Sequence, residues 1–222
     1  MRFSAALAIA ANLALSSAAA IPAVEERSTN LLQKLGIMSA INAVSSNGAS
    51  VWIGNNGPYV TEFINDSKDT IEVVVWGAAS SWVNVAAPLI AQSLAPGASF
   101  EASFASGTSG AWSAVYSDTQ MLNGQISNTW GEFTFNGQFS TFDVSRLPNM
   151  AGHGMTISTD NCKSDMNTCV FTCNSGNTCM TGYSLLNCAT GSQPGASYGT
   201  YAGAPSGGCL VGTKTFVTTT FQ

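Results

Sequence analysis

The stretch 128–156, NTWGEFTFNGQFSTFDVSRLPNMAGHGMT, constrains the fold of this chain more than any other. Two runs rich in Phe, Trp, Thr and Val flank Asn136-Gly137, a dipeptide that tolerates the positive φ angles of a tight hairpin turn. With those two as the loop residues, Phe135 faces Gln138, Phe133 faces Ser140, Glu132 faces Thr141 and Trp130 faces Asp143. Strand alternation then puts Phe133, Phe135, Phe142 and Val144 on one face. Trp130, Glu132, Thr134, Thr141 and Asp143 fall on the other. One side suits a core, and the other presents two carboxylates beside an indole. In this register Glu132 and Asp143 are diagonal neighbours, roughly 7–8 Å apart.

Residues 1–20 carry Arg2, an apolar run and then small residues suited to cleavage, which is the pattern of a secretory signal. A mature chain starting near Ile21 and an extracellular location are therefore expected. No later stretch has the unbroken apolar length to cross a bilayer, so membrane insertion is not expected. Seven Lys and Arg stand against twelve Asp and Glu, and the formal net charge is −5. Binding nucleic acid needs a basic surface to neutralise phosphates, so that partner is excluded.

All six cysteines, Cys162, Cys169, Cys173, Cys179, Cys188 and Cys209, fall late in the chain. An even count behind a secretory signal predicts three disulfides, with fifteen connectivities open. His153 is the one histidine, and no C-x-x-C pair occurs. Zinc ligation is thus disfavoured, and no metal or cofactor is expected.

Residues 21–57 read as an N-terminal leader. Ser28-Thr29-Asn30 can cap a short helix with Leu31, Leu35 and Met38 at helical spacing and Ile41 next along, although Gly36 weakens it. From Tyr59 onward the texture is β. Strands are predicted over 70–76, 99–104, 111–116, 129–135, 139–145 and 213–221, the last tying down the C-terminal end. Short strands and regular turns make 58–222 an all-β, antiparallel β-sandwich. Within it, 161–209 is rich in Gly, Ser, Asn, Thr and Cys and poor in apolar residues, and reads as a disulfide-stabilised loop subregion. Asn65-Asp66-Ser67 is the sole N-glycosylation pattern, placed in an expected exposed turn.

The order of several motifs resembles the thaumatin-like proteins, above all their small fungal secreted branch of antigenic and effector-type members. It runs through Glu62-Phe63-Ile64-Asn65, a strand ending in Val75-Trp76, and Leu94-Ala95-Pro96-Gly97-Ala98-Ser99-Phe100. It continues with Trp130-Gly131-Glu132-Phe133-Thr134-Phe135-Asn136-Gly137, then Phe142-Asp143-Val144-Ser145 and Met155-Thr156-Ile157. The resemblance spans 59–158 and implies an antiparallel sandwich, secretion, and a cleft that in many members binds or weakly hydrolyses β-glucan. Glu132 and Asp143 match two acidic cleft positions of that family. Pro148 and Gly137 stand where two further acids are usual, the family's arginine has no counterpart in 110–116, and the cysteine pattern differs. Fold therefore transfers better than activity.

The candidate ligand-binding residues are Trp130, Glu132, Thr141 and Asp143. Trp130 offers a stacking platform, while the acids and Thr141 bond sugar hydroxyls. A glycosidase would use Glu132 and Asp143 as acid and base or nucleophile, at about 5–5.5 Å for retention or about 6.5–9.5 Å for inversion. The expected function is a secreted binding protein or fungal effector acting on cell-wall polysaccharide or a host or other extracellular protein. A weak endo-β-glucanase and a cell-wall structural protein or antigen are the alternatives. His153, in a glycine-flanked turn, reads as a surface residue. Trp52, Trp76, Trp82 and Trp112 read as core or rim aromatics.

Overall fold

The structure, a computed structural model, describes residues 31–77, 85, 87–213 and 215–222. The expected signal, the Ser28-Thr29-Asn30 cap and Trp82 lie outside the described residues. In chain order the first strands are β1 (Val51–Ile53), β2 (Tyr59–Asn65), β3 (Ile71–Gly77), β4 (Ile90–Leu94), β5 (Ser99–Phe104) and β6 (Thr108–Val115). Then come β7 (Met121–Leu122), β8 (Gln125–Ile126), β9 (Trp130–Phe135), β10 (Thr141–Ser145), β11 (Met155–Ser158) and β12 (Lys163–Ser164). The last are β13 (Val170–Cys173), β14 (Tyr183–Leu186), β15 (Ala196–Tyr201), β16 (Ala204–Leu210) and β17 (Thr215–Phe221).

Two sheets face each other. One is six-stranded in the order β1-β5-β2-β17-β11-β12, and the other runs β14-β13-β10-β9-β6-β3-β4 with β16 and β15 attached through β10. Among the described pairings β2–β17 and β10–β13 are parallel, and the others are antiparallel. Alternation fills the space between the sheets. Phe63, Phe104 and Phe221 project from the first sheet, and Val73, Trp112, Phe133 and Phe142 from the second, all in one buried cluster. Trp112 stacks on Phe133 with ring centroids 5.1 Å apart. A Cβ at residue 131 would lie 2.2 Å from Trp112 Nε1, so the indole requires Gly131 as its neighbour.

The outer face of the second sheet is covered over part of its width. Leu32 and Ile37, with Val85 and Ile126, bury Val74, Trp76, Ala111, Val115 and Trp130 in a second apolar cluster. The N-terminal segment thus packs on the sheet, through one helical turn at 31–34, while Met38 and Ile41 face solvent. The sandwich also starts before residue 58, because β1 pairs with β5.

Two expectations require correction. The hairpin connection is wider than two residues: Thr134 pairs with Thr141, and a single 3-10 turn, Gly137–Phe139, bridges the strands. Gly137 N–H and the Ser140 hydroxyl both donate to the Tyr59 hydroxyl, whose ring stacks on Phe135, so the core holds the loop open. The register consequently moves by two residues, and Glu132 lies directly opposite Asp143. Secondly, 161–209 is not a loop subregion but two hairpins, β13–β14 and β15–β16, that extend the second sheet. Cys169–Cys188 and Cys173–Cys179 tie the first hairpin locally, and Cys162–Cys209 anchors β16 beside β12.

Candidate ligand groove

The two late hairpins divide at one residue. β16 pairs with β10 at Thr141 and Phe142, whereas β13 pairs with it at Val144 and Ser145. Asp143 occupies the fork between them. Gly207 and Gly208, at φ of 140° and 127°, let β16 turn away there, and a Cβ on Gly208 would lie 2.5 Å from the Phe142 carbonyl oxygen. A groove of about 490 Å³ opens above this fork. Glu132, Thr134, Thr141 and Asp143 form its floor, and Phe171 and Tyr183, on the same face of the sheet by register, flank them together with Leu147, Pro148 and Tyr201.

The floor is electrostatically unusual. Burial pushes the Glu132 carboxyl up to about 7, against a partial downward pull from the Ser145 hydroxyl. Asp143 is raised well above the usual carboxylate range, first by burial and then by the charge of Glu132. Directly opposed side chains of an antiparallel pair have Cβ atoms about 4.5–5.5 Å apart, so both carboxyls cannot ionise without mutual repulsion. The pair therefore titrates as a unit and holds a proton close to neutrality. No Lys, Arg or His lines the groove among the described residues, and Asp143 Oδ1 is buried without a hydrogen-bond donor.

The structure brings Glu132, Thr141 and Asp143 together on one surface, as the alternation required. Trp130 is different. Its side chain is 2 % exposed, packs edge-on against Trp76 at 5.0 Å and donates its indole N–H to the Ile126 carbonyl. It lines the groove but is not an open stacking platform, because the N-terminal segment and Ile126 cover its face. The exposed aromatic surface is instead Tyr201, with Tyr183 set edge-on to Phe171 at 5.8 Å. Their signal in the sequence was a few aromatics isolated in a region otherwise poor in apolar residues.

Asn65 is also corrected as a glycosylation site. It is fully buried, its amide nitrogen donates to the Asp69 and Leu94 carbonyls, and its oxygen accepts from Ser67. The folded protein leaves that nitrogen no room for a glycan. His153 does not line the groove; it is stacked on Tyr116 at 3.7 Å with Nε2 3.1 Å from Asp118. Trp52, Trp76 and Trp112 are all buried. The sulfurs of Cys162, Cys169 and Cys209 cluster within 4.8 Å, but each is committed to a disulfide and offers no thiolate to a metal.

The family described as Allergen Asp f 4-like domain matches residues 41–203. The chain belongs to that family. The matched Asp f 4-like stretch holds β1 through β15, including the acid pair and most of the groove wall, and stops short of β16 and β17. No curated protein matches the chain. Among solved structures it is similar to the protein elicitor MoHrip2 from Magnaporthe oryzae, at 16% identity and a TM-score of 0.38, over 73% of this chain and 98% of that one. It is also similar to the thaumatin-like xylanase inhibitor TLXI, at 12% identity and a TM-score of 0.36, over 72% and 97% of the two chains.

Proposed function

We propose that this Asp f 4-like protein is a secreted, non-catalytic binding protein whose groove takes a segment of extracellular polysaccharide. Cell-wall β-glucan is the class that the thaumatin-like motifs imply. The observation that carries the reading is the groove itself, a polar acidic floor flanked by aromatic and prolyl side chains. Sugar rings need that combination: hydroxyls hydrogen-bond to carboxylates while the ring faces lie on aromatic carbon. Three disulfides and the signal-like residues 1–20 support an oxidising, extracellular setting.

Hydrolysis fits less well. The two acids rise side by side from neighbouring strands of one floor, whereas a glycosidase places its carboxyls on either side of the scissile bond. The secreted protein should bind oligosaccharides on a glycan array and release no reducing ends from soluble β-1,3-glucan. Tyr183→Ala with Tyr201→Ala should abolish that binding in a folded protein. Turnover that disappears in Glu132→Gln would overturn the non-catalytic reading, and an array with no bound glycan would overturn the groove's role.

A further inference from the structure

The acid pair lacks a counter-charge. Asp143 is 6 % exposed and lines the groove, yet one of its oxygens meets no donor. Besides the pair, the titratable groups lining the groove among the described residues are the phenols of Tyr183 and Tyr201; β6 contributes Ser109 and Gly110. Burying carboxylates without a cation is costly, and the protein meets that cost by keeping a proton on the pair. A ligand that brings its own positive charge can displace this proton.

Resting on the groove reading, we propose that Glu132 and Asp143 receive an ammonium group, and that the groove selects saccharides bearing free amines, that is, chains of 2-amino-2-deoxy sugars, over neutral glucans. An ammonium offers three donors and a full charge, enough to bridge the Asp143 and Glu132 carboxylates that line the groove in charge-assisted hydrogen bonds. Neutral hydroxyls supply donors without charge. A hard metal ion suits the site poorly: calcium takes six to eight oxygens, and the groove's flanking wall includes the apolar Leu147, Pro148 and Phe171. That wall fits the carbon face of a sugar ring. The groove's volume also falls within the range of small-ligand sites. The chain's net charge of −5 would draw a polycationic saccharide toward it.

The test is calorimetric titration of the full secreted protein with three hexasaccharides: glucosamine, N-acetylglucosamine and β-1,3-linked glucose. The amine form should bind at least about tenfold more tightly than either neutral form, equivalent to about 1.4 kcal/mol. Its affinity should rise from about pH 5 to about pH 6.5, because the amine stays charged while displacing the pair's proton becomes easier as pH rises, and binding should release protons to the buffer. Glu132→Gln and Asp143→Asn, each checked for an unchanged circular dichroism spectrum, should erase that preference, bringing the amine form to the affinity of the neutral sugars. Glu132→Gln keeps the test decisive if Asp143→Asn does not fold.

Equal affinity for all three hexasaccharides would overturn the ammonium site and leave the groove reading standing. Binding of none would overturn both. An amine preference that survives in both variants would assign it to diffuse surface charge and overturn the site. Stronger competition by a lysine-rich peptide at the same residues would overturn the saccharide and assign the site to a protein partner.

Discussion

The sandwich between β1 and β11, closed by β17, and the hairpin arm of β13 to β16 are stabilised by different means. The first holds large aromatics packed between two sheets, with Trp112 in contact with Phe63, Phe104 and Phe133. The arm has a small apolar cluster of Cys169, Phe171, Leu185, Cys188 and Ala196, and every disulfide of the described chain has at least one cysteine there. A region with too little apolar area to pack draws on cross-links that restrict its unfolded state. The groove lies where the two meet. Its acids stand on the packed sheet, and its aromatic wall stands on the cross-linked arm.

The comparison is sharpest where a substitution should affect one region alone. Trp112→Ala removes the largest side chain of the sandwich core and should cost about 3–5 kcal/mol, measured by denaturant unfolding, with loss of the whole cooperative transition. The double change Cys169→Ser with Cys188→Ser should cost about 2–5 kcal/mol and act mainly on the arm. Glycan binding should then fall while near-ultraviolet signals from the sandwich tryptophans persist. Simultaneous loss of both signals would show that the two regions unfold as one unit.

A smaller effect should come from the acid pair. Burial is the main cause that pushes the Glu132 carboxyl up to about 7 in the folded protein from an ordinary 4.5. The folded state therefore binds more protons than the unfolded state across that interval. Its contribution is fully present below about pH 4.5 and is lost as pH rises through about 7, by on the order of 1–3 kcal/mol. Asp143 acts in the same direction. Urea midpoints between these pH values should fall in the native chain and stay flatter in Glu132→Gln. An equal slope in both would mean that the pair is not the source.

Much of the sandwich was legible in residue alternation. The strand at Ser99–Phe104 falls where its pattern put it, and the two faces of β9 and β10 separate as expected despite the wrong turn. The reason is arithmetic: a register error of two residues preserves which side chains share a face, whereas an error of one would have inverted it. Asn65 carried a signal of its own, since Tyr59, Phe63 and Asn65 lie on one face of β2 and two of them are plainly core residues. The fate of Trp130 was not legible. Ile126 covers it from nearby, but Leu32 and Ile37 are brought from far along the chain, and no local pattern marks a tertiary lid. The groove wall was hidden for a similar reason, because strands made mostly of Gly, Ser and Thr lack an apolar period to read.

The placement of β17 also bears on how the molecule assembles. Thr215–Phe221 lies between β2 and β11, pairing Thr215 with Tyr59 in parallel and Met155 with Phe221 in antiparallel. Until that segment is synthesised, the six-stranded sheet exists as two separate fragments, each with an open edge. Contacts of such long sequence separation make folding slow, and the unpaired edges are exposed to aggregation meanwhile. All six cysteines precede β17, so the arm's bridges can be sealed while the sandwich still waits for its middle strand.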